Sequence, residues 1–161
     1  MEVIWASVIA VLGTLSGAAL AFALQSQLSK RQLAAARRDR QREEYITAAA
    51  DLLTTVTALM QAEYNRAKKR IEGVAGDARE QARQDAYDRR TAARIALYRL
   101  QLVGNPAEYR STGDEGGKLI DLCRQISAGT ATVTDVESRR QAARAALDTL
   151  IGSANARVSQ L

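Results

Sequence analysis

From Val3 to Leu24 the chain carries no charged side chain, and the uncharged run continues through Gln25, Ser26, Gln27, Leu28 and Ser29 before Lys30 closes it. A helix needs about 20 mostly apolar residues to cross a bilayer, and this run supplies them. Immediately behind it come Lys30, Arg31, Arg37, Arg38, Arg40 and Arg42, opposed by Asp39 alone. That collar equals the formal net charge of the whole chain, +5, so everything else sums to zero. The pattern predicts a transmembrane anchor over residues 1–29, a juxtamembrane basic collar over 30–42 and a soluble α-helical bundle over 43–161.

Orientation follows from the same asymmetry. Basic residues next to a span stay on the cytoplasmic side, and the other flank offers only Glu2 and the α-amino group. The expected topology is single-pass in the cell membrane, with Met1 outside and the C-terminal domain cytoplasmic. A cleaved signal peptide is the rival reading, because Ala21-Phe22-Ala23 resembles a cleavage site. Such peptides carry a positive n-region, whereas this one is acidic. Within the run, Ala6, Ala10, Gly13, Gly17 and Ala21 form a row of small residues that contains a GxxxG. Rows of this kind let two helices approach closely in lipid, which points to a homo-oligomer or a membrane-protein partner.

The collar can be a plain topology signal with no lipid specificity, and it has two chemical readings besides. Long basic side chains beside a bilayer bind anionic lipid head groups, and the same charges could bind nucleic acid. No aromatic residue is interleaved with them as a single-strand platform would require, so lipid is the favoured partner.

Beyond the collar everything favours helix. Alanine, arginine, glutamine and leucine recur throughout, and Pro106 is the only proline. The fold class is all-α. In the first soluble stretch Ile46, Ala49, Leu53, Val56, Met60, Tyr64, Ala67 and Ile71 recur at spacings of three and four, widened by Tyr45, Leu52 and Leu59. A stripe that wide suits a bundle better than a two-stranded coiled coil. Nothing between Leu24 and Glu72 breaks the helix. Gly73 to Gly76 then form a short break, with Asp77 as N-cap, so the next helix should return antiparallel as a hairpin.

That second helix, Ala78 to Val103, shows two apolar faces. Ala82, Ala86, Ala93, Ala96, Leu97 and Leu100 make one; Ile95, Tyr98 and Leu102 make the other, which predicts a central helix with a neighbour on each side. Gly104-Asn105-Pro106 ends it. A short helix from Ala107 should fade by Gly113, and another should run from Gly117 to Ala128, burying Leu119, Leu122, Cys123 and Ile126. The last helix, capped by Thr134 or Asp135, carries Val136, Ala143, Leu147, Leu150 and Ala154 at helical spacing.

Few chemistries fit this composition. Histidine is absent and Cys123 is the sole cysteine, which removes a Ser-His-Asp triad, a Cys-His pair, histidine metal sites and any intrachain disulfide. Gly113 to Lys118 fails as a phosphate loop, since Thr112 stands where the first glycine belongs and Leu119 follows the lysine. It reads as a flexible link. Carboxylates stand next to arginine, as in Arg83/Asp85, Asp88/Arg89 and Arg144/Asp148, so they read as solvated helix faces. No catalytic, cofactor-binding or metal site is expected.

Two segments carry a family resemblance. Val11-Leu12-Gly13-Thr14-Leu15-Ser16-Gly17 is followed by an arginine-rich stretch ending Arg40-Gln41-Arg42-Glu43. Further on, Arg99-Leu100-Gln101-Leu102-Val103 precedes Asn105-Pro106 and an Arg/Ala-rich last helix. In layout this resembles the KilB-type small membrane proteins associated with plasmid spread in mycelial bacteria. The resemblance implies a non-enzymatic, membrane-anchored interaction or scaffold component supporting intercellular DNA transfer, with no catalytic residues carried over. A stalk or stator-like subunit of a membrane complex is the alternative.

Overall fold

Four helices make up the described chain in this computed structural model: α1 (Glu2–Ile71), α2 (Asp77–Val103), α3 (Tyr109–Ile126) and α4 (Val133–Val158). The structure describes residues 2–103, 109–129 and 132–159, with side chains at 22, 24–103, 112–129 and 132–159. It divides into two compact units, Met1–Arg40 and Gln41–Leu161.

In the first unit the expectation of a transmembrane anchor is overturned. Among the described residues no helix is long and apolar enough to cross a membrane. The side chains that motivated the span, Val3 to Ala21 and Ala23, lie outside the described ones. From Leu24 the helix meets Lys30 within two turns and stays studded with arginine, and its side chains to Arg40 are exposed apart from a half-buried Ser26. The single-pass topology, the assignment of Met1 outside and the rest in the cytoplasm, and the integral-membrane partner all derived from that span and fall with it. The stalk or stator alternative falls for the same reason.

The second unit bears out the all-α expectation as a four-helix bundle. Its antiparallel order shows in the cross-helix pairs. Asp51 of α1 meets Arg99 of α2 at 3.4 Å and Glu63 meets Arg90 at 2.5 Å, so one helix rises as the other falls. Gly113 and Gly116 of α3 press on Gln101 and Leu97 of α2, again in opposite senses. The core is aliphatic, with Leu52, Val56 and Leu59 of α1, Ala96 and Leu100 of α2, Leu119, Cys123 and Ile126 of α3, and Ala143 and Leu150 of α4. Each fully buried leucine contributes about 2 kcal/mol by leaving water.

Where the expected elements shift, the cause is local. Residues Tyr45, Leu52 and Leu59, read from sequence as the margin of the α1 stripe, are its centre, while Ile46 is 44% exposed and Leu53 only half-buried. Among the described residues the second apolar face of α2 is left uncovered. Ile95, Tyr98 and Leu102 are 48%, 59% and 83% exposed, so α2 buries one side only. Instead of breaking at Gly113, α3 runs through Gly113, Gly116 and Gly117. A β-carbon on Gly116 would lie 2.6 Å from Leu97 Cδ1 and one on Gly113 would press on Gln101 Nε2, so these glycines admit a close helix contact where a flexible link was expected.

The turns are set by hydrogen bonds that composition only hints at. After α1, Gly73 takes φ +71 and donates to Arg70 O, while Val74 N–H reaches Lys69 O, a left-handed glycine stop. Gly76 O accepts from Arg79 and Glu80, which makes Asp77 the first helical residue and not the cap. At α4 the cap is Thr132, two or three residues before the expected position. Its Oγ1 accepts from Asp135 N–H, and the Asp135 carboxylate accepts from Thr132 N–H at 2.9 Å.

That reciprocal pair gives a pH signature. Hydrogen bonds from the Thr132 backbone and side chain hold the Asp135 carboxyl below its usual range. A depressed carboxylate stabilises fully above its unfolded value of about 3.9 and loses this as pH falls through the folded value. Asp135→Asn should therefore be less stable than the parent near neutrality. The gap should close as unfolding is followed below about pH 4. A gap that stays constant with pH would contradict the assignment.

Candidate functional site

The described residue least expected from its position is Glu63. It lies on the buried face of α1, one turn after Leu59 and one before Ala67, and its side chain is fully buried. An isolated carboxylate would not survive there, and three groups compensate it. Arg90 Nη2 of α2 donates to Oε1 at 2.5 Å, Arg66 Nη1 stands 3.5 Å from Oε2, and Ser127 Oγ, just past α3, donates to Oε2. Arg70 Nη1 then donates to Ser127 O at 2.7 Å. One carboxylate thus ties α1, α2 and the end of α3 together.

Cys123 lies in the same interior. Burial, assisted by the negative charge of Glu63, pushes its thiol up to about 12, so it remains protonated and inert. This agrees with its sequence reading as a small buried hydrophobe. The same C-terminal end of α3 is closed from α4 by Arg139, whose Nη1 donates to Gln125 O at 2.9 Å and Ala128 O at 2.8 Å. At the next residue of α4, the Arg140 guanidinium lies 4.3 Å from the centre of the Tyr64 ring.

Above the buried carboxylate the surface opens into a groove of about 420 Å³ between α1 and α2, lined by Arg66, Arg83, Gln84, Tyr87 and Arg90. A second cleft of about 170 Å³ shares Arg66 and Arg83 with it and adds Arg70, Gly76, Arg79 and Glu80. Across the two, five guanidinium groups stand against the carboxylates of Glu63 and Glu80, an excess of three positive charges. Glu80 is occupied by Arg83 at 2.9 Å. Buried donors remain uncommitted: Arg70 Nη2 and Arg90 Nε have no acceptor among the described residues. Guanidinium forks of this kind take planar or tetrahedral oxyanions through paired N–H bonds.

These are not the residues singled out from sequence. Ala6, Ala10, Gly13, Gly17 and Ala21, read as a helix-association row, lie outside the described side chains. Lys30, Arg31, Arg37, Arg38, Arg40 and Arg42 are all exposed along α1, and none of them lines either of the two clefts. The pairing expected for Arg83 with Asp85 is replaced by Arg83 with Glu80, and Arg89 takes Asp85 at 3.3 Å. Helical geometry explains both, since only neighbours three or four apart face each other.

Residues 46–158, which is to say nearly all of the bundle, match the KilB plasmid transfer protein family. The chain belongs to the KilB family. No curated protein and no solved structure matches it. The match starts after the collar, so family membership rests on the bundle and not on the uncharged N-terminal run. The resemblance to KilB-type membrane proteins is thereby corrected in its membrane part and retained in its family part. The groove falls wholly within the matched residues.

Proposed function

We propose that this KilB-family bundle serves plasmid transfer as a non-catalytic binding component, and that its arginine groove receives an anionic partner. The observation that carries this is the excess of three positive charges gathered across two adjoining clefts. Holding several guanidinium groups together works against their mutual repulsion. The Glu63 carboxylate offsets part of that repulsion from beneath, and an anion in the groove would offset the rest. The sequence has no histidine, and its sole cysteine is the buried Cys123, which leaves few side chains for acid–base or nucleophilic work at neutral pH.

The test is genetic and direct. Arg66→Gln with Arg83→Gln removes two charges from both clefts, and each charged hydrogen bond lost from a complex weakens it by about 1.5–3 kcal/mol, roughly tenfold or more. Plasmid transfer frequency in matings should fall accordingly while the variant accumulates to the parental level. Transfer at the parental frequency would overturn the reading.

A further inference from the structure

One face of α2 carries a pattern from which the bundle's interior draws only on Arg90. Arg83, Tyr87, Arg90, Arg94 and Tyr98 recur at steps of four, three, four and four, which places them in one line along about 22 Å of helix. Tyr87 is 62% exposed and Tyr98 59%, although phenol rings are usually at least half-covered in a monomer. Arg83 and Arg94 are exposed, and Arg90, drawn inward by Glu63, still lines the groove beside Tyr87. Of the acidic residues of α2 near this line, Asp85 is held by Arg89 and Asp88 accepts from Gln84 Nε2 at 3.0 Å, while Glu80 at the start of the line pairs with Arg83 at 2.9 Å. Arg66 of α1 adds a fourth guanidinium from across the groove.

We propose that this face binds single-stranded nucleic acid, with Arg66, Arg83, Arg90 and Arg94 on backbone phosphates and Tyr87 and Tyr98 each stacking a base. The inference rests on the anion-binding reading above and specifies the partner. Arginine supplies the sequence-independent attraction to phosphate. Exposed aromatic rings supply a surface for bases whose faces are free, which a duplex does not offer. The alternation of the two residue types along one line distinguishes this face from the Lys30–Arg42 collar, which has charge without aromatics. An anionic lipid surface would draw on the arginines and gain little from two separate phenol rings held on a helix flank.

The experiment is fluorescence anisotropy of the full chain with labelled oligothymidine of about 12 nucleotides, a length within the range one such site covers. Saturable binding is expected, weakening as salt rises with a log–log slope of about −2 to −3 for three or four phosphate contacts. Tyr87→Ala and Tyr98→Ala should each reduce affinity about tenfold, and Tyr87→Phe and Tyr98→Phe should restore it, because stacking needs the ring and not the hydroxyl. Glutamine at the collar arginines should leave this tyrosine dependence in place. Inorganic polyphosphate and vesicles of anionic lipid are the comparison probes. If polyphosphate binds through the groove arginines but oligothymidine shows no dependence on the tyrosines, the nucleic-acid inference is overturned and the anion-binding function stands. Preference for anionic vesicles or for duplex over single strand also overturns it. Failure of every anion to bind overturns both.

Discussion

Leu59→Asp should unfold the bundle outright. Leu59 is fully buried at the centre of the α1 stripe, against residues of the other helices in one continuous core. Deleting a buried leucine side chain alone costs about 2–5 kcal/mol. The carboxylate adds the penalty of an unpaired buried charge, so the sum approaches the whole stability of a domain, about 5–15 kcal/mol. Leu53→Asp makes an informative partner. Leu53 belongs to the regular three–four series visible in the sequence, yet it is only half-buried, and an aspartate there can turn toward water. Circular dichroism at 25 °C should show Leu59→Asp without a cooperative transition and Leu53→Asp folded with a lowered midpoint. Equal damage from both would place the centre of the stripe elsewhere.

Glu63→Ala should be the costliest loss of a polar group. It would leave Arg90 without its counter-charge and Ser127 Oγ without its acceptor in a buried setting. Removing one member of a buried pair typically costs 3–5 kcal/mol, and because the Arg90 side chain keeps 21% exposure the expected value is about 3 kcal/mol. Urea unfolding measures this as a shift of midpoint at unchanged slope. Adding Arg90→Met to Glu63→Leu should recover much of the loss, since apolar replacement of a whole buried pair is often neutral. Additive losses in the double variant would mean that the two side chains do not depend on each other.

The contrast between those two residues shows what the sequence could convey. Helix boundaries near Ile71, Asp77 and Val103 were legible, because glycine pairs and periodicity mark them. The buried faces of α2 and α4 were legible too, through Ala82 to Leu100 and Val136 to Ala154. The phase of α1 was legible only in part: Ala49, Val56, Met60 and Ala67 of the expected series are buried, but Ile46 and Tyr45 both fit a helical period and only the neighbouring helices decide between them. Gly113, Gly116 and Gly117 looked like a link because glycine disfavours helix, and the proximity of Gln101 to Gly113 and of Leu97 to Gly116 became visible only in the fold. Glu63 escaped notice although a signal existed: it stands four after Leu59 and four before Ala67, a charge in the middle of an apolar line. Such a charge requires partners, and the arginines of α2 were the available ones. The groove itself could not be read, because it needs Arg66 of α1 beside Arg83 and Arg90 of α2. The uncharged run at the N-terminus drew attention to the collar instead.

The claim that the groove gathers its arginines to hold an anion is tested most directly by nuclear magnetic resonance of arginine Nε–H groups in the full chain, titrated with tripolyphosphate. The account predicts saturable shifts at Arg66, Arg83 and Arg90 with a common midpoint, reached before Arg37, Arg38, Arg40 and Arg42 respond. Shifts that begin at the collar, or that rise uniformly over every exposed arginine without saturating, would contradict it.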